Sequence, residues 1–293
     1  MIPGSDLLSE ISNPPKRVVS LVPSITESLF DLGFGKTIIG ITDYCCEPKG
    51  LVDSIQRIGG TKSIDVERII SLHPDLVIAN QEENDRDQLA QLDRLGMPVW
   101  LTFPKTVRCA INDLYLIASL FRSEMAVNMV RSLEKQYELL EYSLEDQKPT
   151  KYFCPIWESN PTDSDRWWMT FNDETYCGDI IRLNGGLNCF STRQRRYPIA
   201  ADLGRGESEP AGERDTRYPR VSLAEVEIMS PEVILLPDEP FAYSHKDIDR
   251  FLDIFRDTPA GKKRKIRTID GKLITWAGTH MRFAFEGLFH LLD

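Results

Sequence analysis

Residues Ser123 to Gln147 read SEMAVNMVRSLEKQYELLEYSLEDQ and contain neither glycine nor proline. Their apolar residues recur in steps of four and three, which places one apolar stripe along a helix. The stripe comprises Ala126, Val130, Leu133, Tyr137, Leu140 and Leu144. Ser123 suits the N-cap, and Pro149 blocks continuation. At about 1.5 Å per residue the helix would be roughly 36 Å long. Taken alone, it could be an ordinary surface helix, half of a coiled coil, or a strut.

The bulk composition limits the class of protein. The chain has 293 residues, of which 41% are hydrophobic and 27% charged, which is typical of one large or two smaller globular domains. A formal net charge of -10 argues against nucleic acid as a partner. No basic segment followed by an apolar one opens the chain, so no export signal is predicted. We expect a cytoplasmic protein as written, or a periplasmic or cell-surface one if a leader was removed.

Short apolar runs alternate with one-sided helical patterns before the long helix. Strands are predicted at 17–22, 37–42, 76–79 and 99–101, and helices at 25–32, 64–72, 84–95 and 114–121. Ser24 and Glu27 have the spacing of a capping box, which predicts that the first of these helices begins near Ile25. Strand and helix in this rhythm indicate a parallel sheet covered by helices.

The same rhythm returns after Pro149. Strands are predicted at 152–157, 233–236 and 265–269, and helices at 175–183, 222–229, 245–255 and 282–292. An internal match supports two similar halves: DVERIISLHPDLVIANQE from Asp65 aligns with SLAEVEIMSPEVILLPDE from Ser222, with Pro74 placed on Pro231. The fold class expected is therefore α/β, with two Rossmann-like lobes of parallel sheet joined by one long backbone helix.

The predicted organisation has three parts. An N-terminal α/β lobe covers residues 1–104, a linking segment with the long helix covers 105–148, and a C-terminal α/β lobe covers 149–293. Residues 193–220 interrupt the second lobe with a stretch rich in arginine, glycine and proline. Three readings of this insertion stay open: a solvated surface loop, a loop over a ligand site, or a binding segment for an acidic partner.

Common catalytic motifs are missing from the sequence. It contains no GxxxxGK[ST], GxGxxG, HExxH or GxSxG pattern, and its six cysteines form no CxxC pair. The four histidines are far apart, so each is more typical of a helix end or a surface than of a metal site. His280, beside Trp276, is the exception, because it could reach an open metal position on a bound ligand.

Aromatic residues follow several strands of both lobes. They are Tyr44, Trp157, Trp167, Trp168, Phe241 and Trp276. Ligands of open α/β sheets bind beyond the carboxyl ends of the strands, and flat aromatic side chains suit a broad, partly apolar ligand. We therefore expect a small-molecule cleft between the lobes. The alternative is that the two adjacent tryptophans cover an edge of the second lobe.

Five motifs taken in order resemble one family. They are RVVSLVPSITESLFDLG from Arg17, GITDYCCEP from Gly40, IDVERIISLHPDLVIA from Ile64, NGGLNCF from Asn184 and VSLAEVEIMSPEVILL from Val221. Together the motifs resemble the helical-backbone (class III) substrate-binding proteins of metal-chelate ABC importers, most closely the cobalamin-binding branch. The resemblance runs from about Arg17 to Leu292 and implies two lobes, a single bridging helix and a chelate bound between the lobes.

The resemblance also implies site residues. It places Pro23, Ser24 and Tyr44 at the cleft. The aromatic and histidine patterns described above add the remaining candidate ligand-binding residues, Trp157, Trp168, Phe241, Trp276 and His280. Members of the family dock on a permease through one acidic residue on each lobe. The first such position is Glu67; the second falls on Ala224, with Glu225 beside it.

The resulting hypothesis is a non-enzymatic, monomeric binding protein for a metal chelate. Cobalamin or another corrinoid is the first choice of ligand, and an ABC permease is the implied partner. No intrinsic cofactor, catalytic residue or protein metal site is expected. The alternatives are a receptor for a ferric siderophore or haem, and a cytoplasmic corrinoid-handling enzyme or chaperone.

Overall fold

The computed structural model of the protein describes residues 1–2, 4–160 and 166–292. Its chain divides into two compact units. The N-terminal unit comprises Met1–Gln136 and Trp276–Arg282, and the C-terminal unit comprises Tyr137–Thr275 and Phe283–Asp293. These ranges differ from the predicted lobes, because the long helix is shared by both units and a segment near the C-terminus belongs to the N-terminal unit.

A five-stranded sheet forms the centre of the N-terminal unit. The helices are α1 (Leu7–Glu10), α2 (Pro23–Asp31), α3 (Val66–Ser71), α4 (Arg86–Arg94) and α5 (Val107–Leu120). The strands are β1 (Val18–Ser20), β2 (Ile38–Ile41), β3 (Gln56–Arg57), β4 (Gly59–Gly60), β5 (Ser63–Ile64), β6 (Leu76–Asn80) and β7 (Val99–Thr102). The sheet order is β3-β2-β1-β6-β7, and every pairing in it is parallel. The predicted α/β lobe with a parallel sheet is confirmed.

The predicted capping box at the first of these helices is wrong. Helix α2 begins at Pro23, one residue after its N-cap Val22, so Ser24 and Glu27 lie inside the helix. Proline suits the first helical position because its missing N–H would have no partner there. The Glu27 side chain is thereby free for a contact outside the helix.

The long helix is confirmed and somewhat shorter than predicted. Helix α6 spans Glu124–Ser143, 20 residues or about 30 Å, and a 3₁₀ turn follows it. The Ser123 hydroxyl accepts a hydrogen bond from the Ala126 amide at 3.2 Å, as expected of a cap. Along the predicted stripe, Ala126, Val130 and Leu133 are buried. Its function as a strut stays a prediction. Within the described residues, no helix has both the length and the apolar character needed to cross a bilayer.

The C-terminal unit contains a second parallel sheet. Its strands are β8 (Thr150–Phe153), β9 (Trp157–Glu158), β10 (Trp167–Met169), β11 (Gly186–Asn188), β12 (Arg220–Ser222), β13 (Val233–Pro237) and β14 (Ile266–Ile269). Its helices are α7 (Tyr176–Leu183), α8 (Ile199–Asp202), α9 (Leu223–Met229), α10 (His245–Ile254), α11 (Pro259–Lys262), α12 (Lys272–Thr275), α13 (Met281–Gly287) and α14 (Phe289–Leu292). The parallel sheet has the order β11-β8-β13-β14. The single C-terminal helix expected from the sequence is in fact two short ones.

A small antiparallel sheet in this unit was not predicted. Strand β10 is its centre, with β12 on one side and β9 on the other. These strands are two or three residues long, so their apolar alternation is too short to recognise in the sequence.

The internal match is confirmed in the backbone. Helix α3 leads to β6 and helix α9 leads to β13, and both strands are buried along their whole length. The residue before each aligned proline has positive φ: 46° at His73 and 54° at Ser230. A left-handed residue ends each helix, and the following proline prevents it from continuing.

The insertion is held together around one buried carboxylate. Asp202, 1% exposed, accepts hydrogen bonds from the Arg193 guanidinium at 3.1 Å and from the backbone amides of Arg196 and Arg220 at 2.9 and 2.8 Å. Such contacts tie the start of the insertion to its end. The solvated-loop reading is therefore incomplete, since the segment is fixed by specific interactions with the body of the unit.

Candidate functional site

The register of the antiparallel sheet sorts its aromatic residues onto two faces. Met169 on β10 lies opposite Trp157 on β9 and opposite Arg220 on β12. Directly opposed residues project to the same side of a sheet, and successive residues project to opposite sides. Trp157, Met169 and Arg220 therefore share one face, together with Trp167 two positions before Met169.

The other face is part of the hydrophobic core. Trp168 is 1% exposed and packs against Phe251 and Phe255, with ring centroids 6.2 and 5.0 Å away. Its Nε1 donates to the Glu158 carboxylate at 3.1 Å. Trp168 is accordingly removed from the candidate ligand residues. The alternation of the strand puts its neighbour Trp167 on the outward face instead.

Glu158 is buried beside Trp168 and is neutralised by arginine. The Arg250 guanidinium donates to its carboxylate at 2.9 Å, and Arg166 lies 4.0 Å away. Hydrogen bonds and positive charges of this kind replace the hydration that a buried carboxylate loses. The pair fixes the position of β9, and with it that of Trp157.

The outward face is only partly covered. Trp157 is 46% exposed and contacts Phe241 in an edge-to-face arrangement, with 5.4 Å between ring centroids. The Arg220 guanidinium lies 5.5 Å from the centre of the Trp167 ring. This sheet thus presents two tryptophans, a neighbouring phenylalanine and a cation, a combination that suits a flat ligand with an apolar surface. We call these four residues, Trp157, Trp167, Arg220 and Phe241, the aromatic face.

Tyr44 is the exposed aromatic candidate in the N-terminal unit. Its side chain is 64% exposed on the loop after β2. The loop is fixed by Arg57, whose Nη1 donates to the carbonyls of Thr42 and Cys45 at 2.8 Å each. Behind it, Thr26 donates to the Cys45 thiol at 3.2 Å. Tyr44 is therefore presented by a loop whose backbone is already ordered.

Pro23 and Ser24 lie in the first turn of α2 and are buried. Gly278 approaches this helix so closely that an added Cβ would lie 2.3 Å from the Ser28 hydroxyl and 3.3 Å from the Ser24 carbonyl. Next to Gly278, the Thr279 amide donates to Ser28 at 3.0 Å. Ser24 is thus adjacent to the segment that carries two other candidates, Trp276 and His280.

His280 is bonded to a carboxylate of α2. Its Nδ1 lies 2.8 Å from Glu27 Oε2, and both side chains are buried. The Trp276 ring is stacked at a tilt 5.3 Å from the imidazole and is 8% exposed. A carboxylate on one ring nitrogen fixes the orientation of a histidine. Sequence reasoning had singled out His280 but not Glu27, which it had assigned to a cap.

Two acids that follow β13, Asp238 and Glu239, bond to residues of their own unit. Asp238 accepts from the Gly271 amide at 2.7 Å, and Glu239 accepts from the Thr275 hydroxyl at 2.8 Å. In the described part of the chain, no group of three or more histidine, cysteine, aspartate or glutamate side chains could hold a metal ion.

The two acidic residues assigned to permease docking differ in their surroundings. Glu67 is exposed on the first turn of α3. Glu225 forms a capping box with Ser222, and its other oxygen lies 3.3 Å from Nε of Arg193. Ala224, at the aligned position, is exposed but has no charge. A free carboxylate is therefore present in the first unit and not at the equivalent place in the second.

The periplasmic binding protein family model matches residues 18–273, most of the chain. The chain belongs to this family. The resemblance inferred from the five motifs is confirmed. The family description gives no support to the cytoplasmic location expected from the sequence.

Individual relatives are distant in sequence and similar in fold. A vitamin B12-binding protein of Vibrio cholerae is 22% identical over 233 residues, which is 79% of this chain and 74% of the relative. The crystal structure of the periplasmic vitamin B12 binding protein of Vibrio cholerae has a TM-score of 0.73 at 20% identity, covering 95% of this chain and 97% of its own. A periplasmic heme-binding protein from Roseiflexus sp. RS-1 has a TM-score of 0.70 at 20% identity, covering 95% and 99%.

Proposed function

We propose that this protein binds a metal chelate, a corrinoid such as cobalamin in the first place, and does not transform it. The observation that carries this proposal is the aromatic face of the C-terminal unit. Two tryptophans there are fixed by sheet register, a phenylalanine packs against one of them, and all three remain at least partly accessible, as a large flat ligand requires. Family membership and the names of the relatives support the same ligand class.

Each candidate residue has a definite part in this proposal. Trp157 and Phe241 provide apolar ring surface, and Tyr44 provides a further exposed ring from the N-terminal unit. Trp167 replaces Trp168 in the ligand set because it lies on the outward face. His280 and Trp276 are held by contacts within the N-terminal unit, and their contact with a ligand stays a prediction.

Titration of the tryptophan fluorescence with cobalamin, cobinamide, haem and a ferric hydroxamate tests the proposal. We expect saturable quenching with a corrinoid and about tenfold weaker affinity for Trp157→Ala, because a buried aromatic contact contributes about 1–2 kcal/mol. Tyr142→Ala is the matched control. Tyr142 is 74% exposed on α6 and lies outside the candidate set, so its loss should leave the affinity unchanged. Absence of saturable quenching with all four ligands would refute the proposal.

Haem is the second candidate ligand. Proteins described as heme-binding share this fold, and a porphyrin would present an equally flat surface to the aromatic face. The same titration separates the two possibilities. Tighter binding of haem than of either corrinoid would assign the protein to haem and retain the aromatic face as its site.

Delivery of the ligand to an ABC permease is a further part of the proposal. Of the two predicted docking residues, Glu67 has an exposed carboxylate, while that of Glu225 is bonded to Ser222 and Arg193. A contact with the permease would therefore depend on Glu67. Reconstitution with a candidate permease should show weaker association for Glu67→Lys than for Glu225→Gln. Equal loss in both variants would contradict this assignment.

A further inference from the structure

Arg220 has hydrogen-bond donors that the described part of the chain does not satisfy. Its Nε and Nη1 are enclosed by the protein and make no hydrogen bond. The residue as a whole is nevertheless only partly buried. Buried donors are nearly always paired in folded proteins, and an unpaired guanidinium destabilises the site around it. Such an arrangement indicates a partner that the chain itself does not supply.

The charges around Arg220 also indicate a partner that the chain does not supply. Burial and the neighbouring Arg195 lower the pKa of Arg220, and Asp202 opposes them only in part. The Asp202 carboxylate is already engaged by Arg193 and by two backbone amides, one of them that of Arg220 itself. Arg195 meanwhile lies 4.3 Å from the centre of the Tyr197 ring. Two arginines are thus close together with a single, already occupied acid beside them.

The position of Arg220 links this unsatisfied charge to the ligand. Register places its side chain on the same face as Trp157, across Met169 of the central strand. Its guanidinium also lies over the outward-facing Trp167. A ligand resting on the tryptophans would therefore bring its edge close to Arg220.

We infer that Arg220, with Arg195 beside it, binds an oxyanion on the edge of the chelate, a phosphate or a carboxylate. The inference rests on the proposed function and narrows its substrate class to chelates that carry such a group. Guanidinium groups bind both anions through charge-assisted hydrogen bonds, so the chemistry is shared between the two sources. The phosphodiester of cobalamin and the propionates of haem are the two forms in which the oxyanion can arrive.

Two pairs of chelates distinguish the sources. Cobalamin carries a phosphodiester in its nucleotide loop, and cobinamide lacks that loop. Haem carries two carboxylates, and its dimethyl ester carries none. The wild-type protein and Arg220→Gln are titrated with all four, with tryptophan quenching as the readout. We expect the variant to lose about tenfold or more in affinity for the oxyanion-bearing member of whichever pair binds, and less than twofold for the other member.

Controls separate charge from packing and from misfolding. Arg196→Gln removes the same charge from an exposed position in the same insertion and should change the affinity less than twofold. Arg220→Lys, which keeps the charge, should restore part of the loss. Salt provides a test without mutation: raising potassium chloride should weaken wild-type binding of the oxyanion-bearing chelate more than that of the paired chelate without the oxyanion.

The outcomes are distinguishable. Equal losses for both members of a pair, or equal salt dependence, overturn the inference and leave the proposed function intact, because Arg220 would then act through its packing on Trp167. Failure of the wild-type protein to bind any of the four chelates overturns the proposed function and the inference together. A selective loss with cobalamin identifies a phosphate, and one with haem identifies a carboxylate.

Discussion

The helix-proline-strand unit from α3 to β6 and its counterpart from α9 to β13 have the same backbone and different surfaces. Both helices are capped by a side chain at the N-terminus, Asp65 in one and Ser222 in the other. Both end in a left-handed residue before a proline. Yet Glu67 on the first is exposed, whereas Glu225 on the second is bonded to Arg193.

The insertion supplies one of the contacts that hold Glu225. Arg193, at its start, reaches both Asp202 within the insertion and Glu225 on α9. The carboxylate of Glu225 is thereby tied to the insertion as well as to Ser222. Two copies of one backbone pattern can therefore keep their architecture while a single added segment changes what one of them presents to solvent.

Buried acids differ in how their charge is compensated. Glu158 and Asp202, in the C-terminal unit, are paired with arginines. Asp113, on α5 of the N-terminal unit, is partly buried, and burial alone raises its pKa from the ordinary 3.8 to about 7. An acid shifted by burial alone destabilises the fold when it ionises.

The largest effect is expected for Asp202→Ala. The substitution leaves two backbone amides of the insertion without their acceptor and removes one of the two carboxylates that Arg193 contacts. Breaking a buried ion pair of this kind costs about 3–5 kcal/mol. Urea denaturation at neutral pH should show the loss. With the insertion released, the Glu225 side chain should also become more exposed. The first turn of α9 would then resemble that of α3, where Glu67 is exposed, more closely.

Glu209→Ala is the matched control for that experiment. Glu209 is an acid of the same insertion, its side chain is 62% exposed, and it pairs with Arg214, whose side chain is 44% exposed. An exposed pair contributes about 1 kcal/mol or less. Similar losses for the two variants would mean that burial of Asp202 is not what anchors the insertion.

Asp113→Asn should give an intermediate effect that depends on pH. Because the folded-state pKa is raised, the protonated form is favoured in the fold, and its contribution is complete below pH 4 and lost as the pH rises toward 7. An asparagine cannot ionise, so the variant should lose about 2–3 kcal/mol less stability than the wild type between pH 5 and pH 8.

Urea denaturation at the two pH values checks this expectation. Asp253→Asn, on an aspartate of the C-terminal unit whose side chain is 81% exposed, supplies the comparison and should leave the pH dependence unchanged. If Asp113→Asn and the wild type have the same pH dependence, Asp113 does not titrate in the expected range.

The smallest effects on stability are expected for the two acids in the first turns of α3 and α9, Glu67 and Glu225. Glu225→Ala removes one half of a capping box and a contact with Arg193, which should reduce stability by about 1–2 kcal/mol. Glu67→Ala should stay within about 0.5 kcal/mol of the wild type because the side chain is exposed. Thermal unfolding of both variants measures the difference. Equal stability would show that the Arg193 contact contributes nothing in solution.

Much of the architecture could be predicted from local pattern. The spacing of apolar residues in α6, the buried runs of β6 and β13 and the repeated proline after α3 and α9 all identify their elements without any tertiary contact. The start of α2 could not be predicted in the same way. Ser24 and Glu27 fit a capping box by spacing, but Pro23 begins the helix and Glu27 contacts His280, 253 positions away.

By itself, the sequence determined the two α/β halves, the long helix and a set of aromatic residues at strand ends, because each depends on neighbouring residues. Only the tertiary structure decided which of the adjacent Trp167 and Trp168 lies on the outward face of the sheet and which lies in the core. Strand alternation requires Trp167 and Trp168 to point in opposite directions, but the pairing of β10 with β9 and β12 selects the face that meets the core. The same pairing places Arg220 and Trp157, which are 63 positions apart, on one face of the sheet at either side of Met169, which no local pattern records.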